Sequence, residues 1–396
     1  MILPYSDIKK ALSYALIVFI IYSSSGSSDF SNDKNLTVGG WVFFTFIYFY
    51  YENYIKLSFI LLLSIFLGTS LLYFIINGAY NQVTYLGFFM KIMLAYYCKN
   101  FCKEDFFDYF VNTIYIWTSI CIVLYCVQLI SFDFFFNLNN FFGVNDDDFS
   151  KSNSLIFTMT HIHYLRNCGF MWEPGAFVTV LVITFYINLF YREEPLFSRK
   201  NTIFLIAIMT AQSTMGVIAL LIPLSFLLKD FIMKNRFYQQ LSVVIIPAVL
   251  IALITVFTQV DFLFNKMVGE IVELDTEFDF IEQGVKEDFT VALSRTASVI
   301  LDMKAIKQYP LLGLGIDMRT NGFSKLGYSD NVDTSCGLTI LVLRFGFIGF
   351  IIYNWLLYRQ AFFERTLHKI GWVVLVNFAL FTQEISASSF FHLFIF

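Results

Sequence analysis

Long apolar runs are the feature that most constrains how this chain can fold. The stretch LSFILLLSIFLGTSLLYFII, residues 57–76, carries no charged side chain, and runs of similar character recur along the whole sequence. Only 14% of the 396 residues are charged, whereas a soluble domain devotes about a quarter of its residues to charge. The runs are continuous rather than alternating, so they predict α-helices that cross a membrane.

The apolar runs predict where the spans lie, and the basic residues predict their orientation. Spans are expected at residues 8–24, 37–51, 57–77, 83–98, 106–131, 169–190, 202–212, 215–231, 240–258, 337–357 and 370–386. One helix over 202–231 would be too long for a bilayer, so AQSTMG at 211–216 is expected to break it. An N-terminus in the cytoplasm assigns most Lys- and Arg-containing connections to that side, as the positive-inside rule requires.

This orientation leaves two large loops on the outer side, residues 133–166 and 259–336. An amphipathic helix is expected over residues 264–281, where apolar side chains recur every three or four residues. A second helix is expected over residues 295–309, because Pro310 and a turn at Gly313 and Gly315 follow it. No repeat divides the chain. The predicted fold class is therefore all-α, one polytopic membrane domain over residues 1–396 with about 11–12 transmembrane helices.

Glu173 and Pro174 mark the start or a kink of one predicted span, because proline lacks an N–H and biases the preceding residue away from helical geometry. This places the Glu173 carboxylate near the outer interface, at the positive end of the helix dipole. Arg166 lies seven residues earlier. The two charges fit either an interfacial ion pair that orients the helix or a functional site.

Further charged residues are expected on the outer side. Arg295, Arg319 and Arg344 predict an anionic ligand if they face one vestibule, although each alone also fits a surface role. Arg344 lies about two turns into a span, where a charge costs roughly 2.5 kcal/mol or more, and Glu384 is its candidate partner. Asp333 can either position a sugar hydroxyl or cap the helix that follows.

No metal site is predicted from the histidines or the cysteines. His161 and His163 form a His-x-His pattern without a neighbouring third ligand. The six cysteines are scattered and lack the paired spacing of a metal site. Plain packing in an apolar interior accounts for the cysteines, and a place at the membrane interface accounts for the two histidines.

Four sequence motifs, taken in order, resemble the O-antigen polymerase (Wzy-type) family. They are LRNCGFMWEPG at the head of a span, STMG between two short spans, SRTASVILDMKAIKQYPLLGLG in the second loop, and LTILVLRFGFIGF in a later span. Together they cover about residues 160–350. The family pattern of an arginine, a glycine and a Glu-Pro pair falls on Arg166, Gly169, Glu173 and Pro174, and the arginine that opens the second-loop helix falls on Arg295.

The resemblance implies a GT-C-type glycosyltransferase of the bacterial cytoplasmic membrane that needs no metal or other cofactor and acts, with inversion, at the outer face. It would transfer a growing glycan from undecaprenyl diphosphate to an incoming lipid-linked repeat unit. Arg166 and Arg295 would stabilise the leaving diphosphate, and Glu173 or Asp333 would accept the proton of the attacking hydroxyl. Substrate binding is assigned to Arg319, Arg344, His163 and Tyr328. The expected partners are the lipid-linked repeat units, membrane lipids and a chain-length regulator protein, with no nucleic acid.

Two other functions stay open at this point. One is an O-antigen ligase, although ligases usually show a histidine before the Gly-x-x-Gly of the later span, where this chain has Asp333 and Ser335. The other is a lipid-linked oligosaccharide flippase. Transporters usually place polar residues near the membrane midplane and often show internal symmetry. The predicted outer position of the polar residues therefore favours catalysis.

Overall fold

The structure of the chain is a computed structural model, and it describes the following part of the sequence. The described residues are 5–25, 34–52, 54–57, 59–60, 63–64, 67–68, 82–142, 151–154, 156–162, 164–233, 291–292, 295–316, 332–333, 336–382 and 388–396. The predicted amphipathic helix at 264–281, the predicted span at 240–258 and much of the predicted span at 57–77 lie outside these residues.

Helices account for nearly all of the regular structure that is described. In chain order they are α1 (Tyr5–Ser24), α2 (Lys34–Glu52), α3 (Gln82–Cys102), α4 (Phe106–Ile130), α5 (Phe132–Phe142), α6 (Pro174–Phe190), α7 (Arg199–Thr210), α8 (Thr214–Met233), α9 (Arg295–Gln308), α10 (Gly337–Arg359), α11 (Thr366–Thr382) and α12 (Ser389–His392). Short strands form two pairs. β1 (Lys151–Asn153) is antiparallel to β2 (Thr158–Thr160), and β3 (Val291–Ala292) is parallel to β4 (Val332–Asp333).

Among the described residues, two helical stretches are long and apolar enough to cross a membrane, judged by length and composition. They are Val83–Ile130, which comprises α3, a 3-10 turn and α4, and Gly337–Arg359, which is α10. Two shorter apolar helices, Pro174–Phe190 and Thr366–Phe381, accompany them. The predicted all-α class is thus in agreement with the described structure.

Two predicted span boundaries move in the structure. The span expected at 169–190 begins five residues later, at Pro174, because Glu173 is extended (φ −154°, ψ 160°) and the proline occupies the first helical position. The span expected at 370–386 is observed as Thr366–Thr382. The predicted break in AQSTMG is confirmed, since α7 ends at Thr210 and α8 begins at Thr214.

Helix α6 lies at the centre of the helix bundle. Every residue from Ala176 to Phe190 is buried, as expected for a helix that is apolar on all faces. It packs against α4, α7, α8 and α11. Asn188 on α6 donates from Nδ2 to Oδ1 of Asn201 on α7 at 2.8 Å, and both side chains are buried. Such a bond between helices in an apolar interior contributes about 1 kcal/mol.

Helix α10 is interrupted at Gly346, and an upstream loop passes through the interruption. We call this feature the crossing; it consists of loop residues 310–316 and α10 residues 343–348. Two carbonyls before the break accept from loop amides, and two amides after it donate to loop carbonyls. The four bonds are Leu314 N to Leu343 O (2.5 Å), Gly315 N to Arg344 O (3.1 Å), Phe347 N to Pro310 O (2.8 Å) and Ile348 N to Leu311 O (3.3 Å).

Glycine makes the crossing sterically possible. Gly346 has φ 64° and ψ −176°, a region that is essentially restricted to glycine. A Cβ atom at Gly346 would overlap the carbonyl oxygen of Leu311. Gly313 on the opposite side also has positive φ (72°), and a Cβ there would overlap the carbonyl oxygen of Leu343. The backbones therefore approach as closely as they do only because both positions lack a side chain.

The last nine residues turn back into the bundle. Helix α12 and a following 3-10 turn, Leu393–Ile395, are buried throughout. The segment packs against α1 and α3, and Phe390 N donates to Oγ of Ser24 at 3.1 Å. The apolar side chains of this segment therefore fill space between helices.

Candidate functional site

The motif segment, residues 164–173, precedes α6 and is fastened by two side chains of α4. Tyr125 donates from its hydroxyl to the carbonyl oxygen of Leu165 at 2.7 Å, and Gln128 donates from Nε2 to the carbonyl oxygen of Tyr164 at 2.7 Å. Tyr125 and Gln128 are buried and lie three residues apart, on one face of α4. The end of α4 therefore fixes the backbone of the motif segment.

The middle of the motif segment binds the tip of the hairpin that α7 and α8 form. Asn167 donates from its backbone to the carbonyl oxygen of Thr210 and from Nδ2 to Oγ1 of Thr210, both at 3.1 Å. Arg166 donates from Nε to the carbonyl oxygen of Ala211 at 3.1 Å. These oxygens belong to the C-terminal end of α7, where carbonyls lack intrahelical partners and a positive charge is favourable. Arg166 thus has a structural contact that also fixes its guanidinium group.

Gly169 lets the motif segment turn toward α6. It has φ 56°, and a Cβ atom there would overlap the ring of Phe177. Its amide donates to Oδ1 of Asn167 at 2.9 Å, and its carbonyl accepts from the amide of Thr158 on β2 at 2.7 Å. The glycine of the motif is therefore needed for the backbone conformation and for the close approach to α6.

Arg166 and Glu173, both predicted catalytic residues, lie on either side of a buried thiol. Glu173 is at the N-cap position of α6, but its side chain forms no capping hydrogen bond. Burial raises the pKa of the Cys168 thiol to about 12, while the charge of Arg166 lowers this pKa and the charge of Glu173 raises it. Both charges therefore act on the same small region in front of α6. Both predicted residues thus lie near Cys168, and their catalytic roles stay predictions.

The other two predicted catalytic positions meet in the backbone of the second loop. The parallel pair β3–β4 aligns Val291 with Val332 and Ala292 with Asp333. Helix α9 begins three residues after Ala292, at Arg295, and α10 begins four residues after Asp333. Because the paired strands run in the same direction, α9 and α10 start at the same end and pack side by side. The predicted positions 295 and 333 thus lie at one end of this helix pair.

Asp302 on α9 is a polar residue that the sequence analysis missed. It is fully buried and accepts a hydrogen bond from the hydroxyl of Thr339 on α10. A buried carboxylate is tolerated only when it is hydrogen-bonded or paired. Ser298, one turn earlier, is also fully buried. The sequence carries a pattern that could have indicated this residue. Polar side chains recur at spacings of three and four, and so share one helical face, at Arg295, Ser298 and Asp302.

Arg344 lies two residues before Gly346, the residue that interrupts α10. Its residue is only 8% exposed, and its carbonyl takes part in the crossing. The irregular backbone therefore places a guanidinium group inside the bundle, about two turns from the start of α10. Its predicted role in substrate binding stays a prediction.

Several predicted residues lie outside the described part of the chain. They are Arg319 and Tyr328 of the second loop, His163 of the first loop, and Glu384, the candidate partner of Arg344. His161 is described, and its ring packs against Phe132 and Phe136 of α5 with ring centroids 5.0 and 4.3 Å apart. All six cysteines are free, and Cys168 and Cys336 are both buried.

The chain matches no protein-family model, no curated protein and no solved structure. The resemblance to O-antigen polymerases and the activity it implies therefore stay predictions.

Proposed function

We propose that the chain is a polysaccharide polymerase of the bacterial cytoplasmic membrane. In this proposal, about 11–12 helices cross the membrane in a GT-C-like arrangement, and the motif segment and the second loop face the outside. The growing glycan, carried on undecaprenyl diphosphate, is transferred to a hydroxyl of an incoming lipid-linked repeat unit. The product is O-antigen, capsule or exopolysaccharide. The long apolar helices and the four motifs in family order support the proposal.

The observation that carries the proposal is the fixed position of Arg166. The Ala211 carbonyl holds the guanidinium group at Nε, and α4 and the α7–α8 hairpin hold the backbone around it. A diphosphate that leaves a sugar gains negative charge, and a preorganised arginine stabilises that charge without having to rearrange. Removing one such preorganised donor typically lowers kcat by about 100- to 1,000-fold.

The acceptor hydroxyl needs a group that takes its proton during attack. Glu173 is the first candidate for this role, because its charge acts on the same thiol, Cys168, as the charge of Arg166. Asp333 is the second candidate, since its backbone lies at the same end of the α9–α10 pair as Arg295. A base within hydrogen-bond reach of the nucleophile contributes about 100- to 10,000-fold.

The proposal is tested with Arg166→Gln and Arg295→Gln in cells that lack the native copy of the gene, with glycan length read on a gel. We expect the polymer ladder to collapse to single repeat units on their final acceptor. Arg166→Lys keeps the charge but not the fork geometry of the guanidinium group, so it should restore only part of the ladder. The matched control is Arg359→Gln, which changes an exposed arginine in the last turn of α10 and should leave the ladder intact.

The same gel separates the rival functions. Loss of all exported repeat units in the variants would indicate a flippase, and full-length polymer that stays on the lipid carrier would indicate a ligase. An unchanged ladder in both arginine variants would refute the assignment of the site.

A further inference from the structure

An exposed apolar stripe runs along one face of α4. Its side chains follow one another at steps of three and four residues, so they share one side of the helix. The stripe consists of Ile116, Ile120, Val123, Val127 and Ile130, which are 38–84% exposed. Tyr125 and Gln128, which hold the motif segment, lie on a different face that is buried. Contiguous exposed apolar surface marks a contact with protein or membrane, and on a candidate span this surface faces lipid.

The uncharged part of α4 matches the thickness of a bilayer. Residues 109–132 carry no charged side chain, whereas the carboxylate of Asp108, directly before them, pairs with Nε of Arg192 at 2.9 Å. The helix ends at Ile130. From residue 109 to this end it rises about 33 Å, close to the roughly 30 Å of a hydrocarbon layer. Helix α5, which begins at Phe132, therefore starts at the boundary between hydrocarbon and water.

One side of α5 is fixed to the hairpin of β1 and β2. Asn139 is buried and donates from Nδ2 to the carbonyl oxygen of Ser152 at 3.0 Å and to its hydroxyl oxygen at 2.8 Å. The buried rings of Phe135 and Phe157 lie with their centroids 6.0 Å apart. The same hairpin donates from β2 to the carbonyl oxygen of Gly169 in the motif segment. The rotation of α5 about its own axis is therefore set relative to the motif segment.

The other side of α5 carries two exposed edges of different chemistry. Phe134 and Leu138 are four residues apart and form an apolar edge, with 66% and 40% of their surface exposed. Asp133 and Asn137, also four residues apart, form an exposed polar edge. At 100° per residue, the apolar edge lies between the polar edge and the packed side. The helix thus meets protein, an apolar medium and water on three successive sides, as a helix in the plane of a membrane interface does.

We propose that α5 is an interfacial helix that binds the lipid surface of the outer leaflet. Phe134 and Leu138 insert among the acyl chains, and Asp133 and Asn137 face water. Protein interfaces favour Trp, Tyr and Arg, and none of these is on the apolar edge, so lipid is the partner that suits it. Through the hairpin, α5 sets the height of the motif segment above the lipid. The inference rests on the proposed function for the side of the membrane that α5 faces.

The test measures the surroundings of single nitroxide labels on the purified full chain in lipid nanodiscs. The background is Cys126→Ala, because the other five native cysteines are buried. Collisions are measured with oxygen, which concentrates in hydrocarbon, and with a water-soluble nickel chelate. We expect the oxygen-to-nickel ratio to be several-fold higher for labels at Phe134→Cys and Leu138→Cys than at the matched controls Asp133→Cys and Asn137→Cys. The two apolar positions should lie about 5–10 Å below the head-group boundary.

A reference label separates failure of the inference from failure of the proposed membrane arrangement. Val123→Cys places the label on the stripe of α4, where oxygen should dominate. Nickel access at this reference would contradict both the inference and the span formed by α4. Lipid exposure at the reference, with labels at 134 and 138 as open to nickel as the controls, would overturn the inference alone. Labels at 134 and 138 that neither agent reaches would indicate a protein partner and would also overturn it. The measurement uses no substrate, so its outcome is independent of the glycan ladder.

Discussion

The motif segment at residues 164–173 and the crossing at 310–316 and 343–348 both bring irregular backbone against helices, but they satisfy its polar groups differently. In the motif segment, the bonds come largely from side chains, namely Tyr125, Gln128 and Asn167. In the crossing, four backbone groups of α10 bind four backbone groups of the loop. Side chains thus stabilise the segment at the head of α6, and the main chain alone stabilises the break within α10.

This difference determines which substitutions each region can tolerate. A side-chain bond can be removed by substitution without moving the backbone, at a cost of about 1–3 kcal/mol when it leaves a buried group unsatisfied. A backbone crossing is insensitive to most side chains but depends completely on its glycines. Substitutions in the motif segment should therefore lower stability by moderate amounts that depend on the bond removed. Substitutions of the glycines at the crossing should lower stability severely.

The largest effect is expected for Gly346→Ala. The new Cβ would overlap the Leu311 carbonyl oxygen, and the backbone conformation alone costs an alanine roughly 1–3 kcal/mol. Loss of the four crossing bonds adds about 1 kcal/mol each. We expect the variant to fail to accumulate as folded protein, or to unfold at a much lower temperature in detergent. Gly87→Ala is the matched control, since a Cβ there meets nothing within 4 Å; comparable stability of the two variants would contradict the crossing.

A smaller loss is expected for Asn167→Leu in the motif segment. This change leaves the buried Gly169 amide without its acceptor and removes the donor to Thr210, for a loss of about 2–4 kcal/mol in the free energy of unfolding. Gln212→Ala is the control in the same region, because Gln212 is exposed and its bond to Leu165 is long at 3.4 Å. Equal losses in the two variants, measured by thermal unfolding, would show that burial does not set the strength of these bonds.

A side-chain bond between α9 and α10 should give an intermediate result. Thr339→Val removes the hydroxyl that donates to the buried Asp302 carboxylate, and we expect a loss of about 1–3 kcal/mol. Thr339→Ser keeps the hydroxyl and should recover most of that loss. If valine and serine behaved alike in chemical unfolding, the hydroxyl contact would have no energetic role.

The smallest effect is expected on the reactivity of the Cys168 thiol, on which the charges of Arg166 and Glu173 act. In a protein that retains Cys168 as its only cysteine, alkylation at pH 8–9 should be slow until denaturation, because burial raises the thiol pKa to about 12. Glu173 raises this pKa, so Glu173→Gln should lower it and speed the reaction. Arg166 lowers the pKa, so Arg166→Gln should slow the reaction. Each change should be less than about ten-fold, or one pKa unit; a change of the same sign in both would contradict their opposite electrostatic action.

The sequence predicted those parts of the structure that depend on local patterns. Continuous apolar runs indicated the helices, Glu173–Pro174 indicated the start or a kink of α6, and AQSTMG indicated the break between α7 and α8. These features need only propensity, proline chemistry and helix length, and all three can be read within a short window.

The interior features could not be predicted in this way. The turn at Gly313 and Gly315 was visible, but its partner at Gly346 is distant in the chain, and nothing local links the two. His392 looks like an isolated polar residue in an apolar run. Only the packing of α12 between α1 and α3 brings the His392 ring against Phe88, and tertiary packing of this kind leaves no periodic signal.

The crossing also affects the order in which the protein is made and folded. A ribosome makes the loop with Gly313 before it makes α10, and chains generally fold from the N-terminus as they emerge. The backbone groups that α10 cannot satisfy for itself thus find their partners already present when the second half of the helix is made. Moving this loop downstream of α10 by circular permutation would reverse that order, and four polar groups of α10 would stay unmatched until the loop is made.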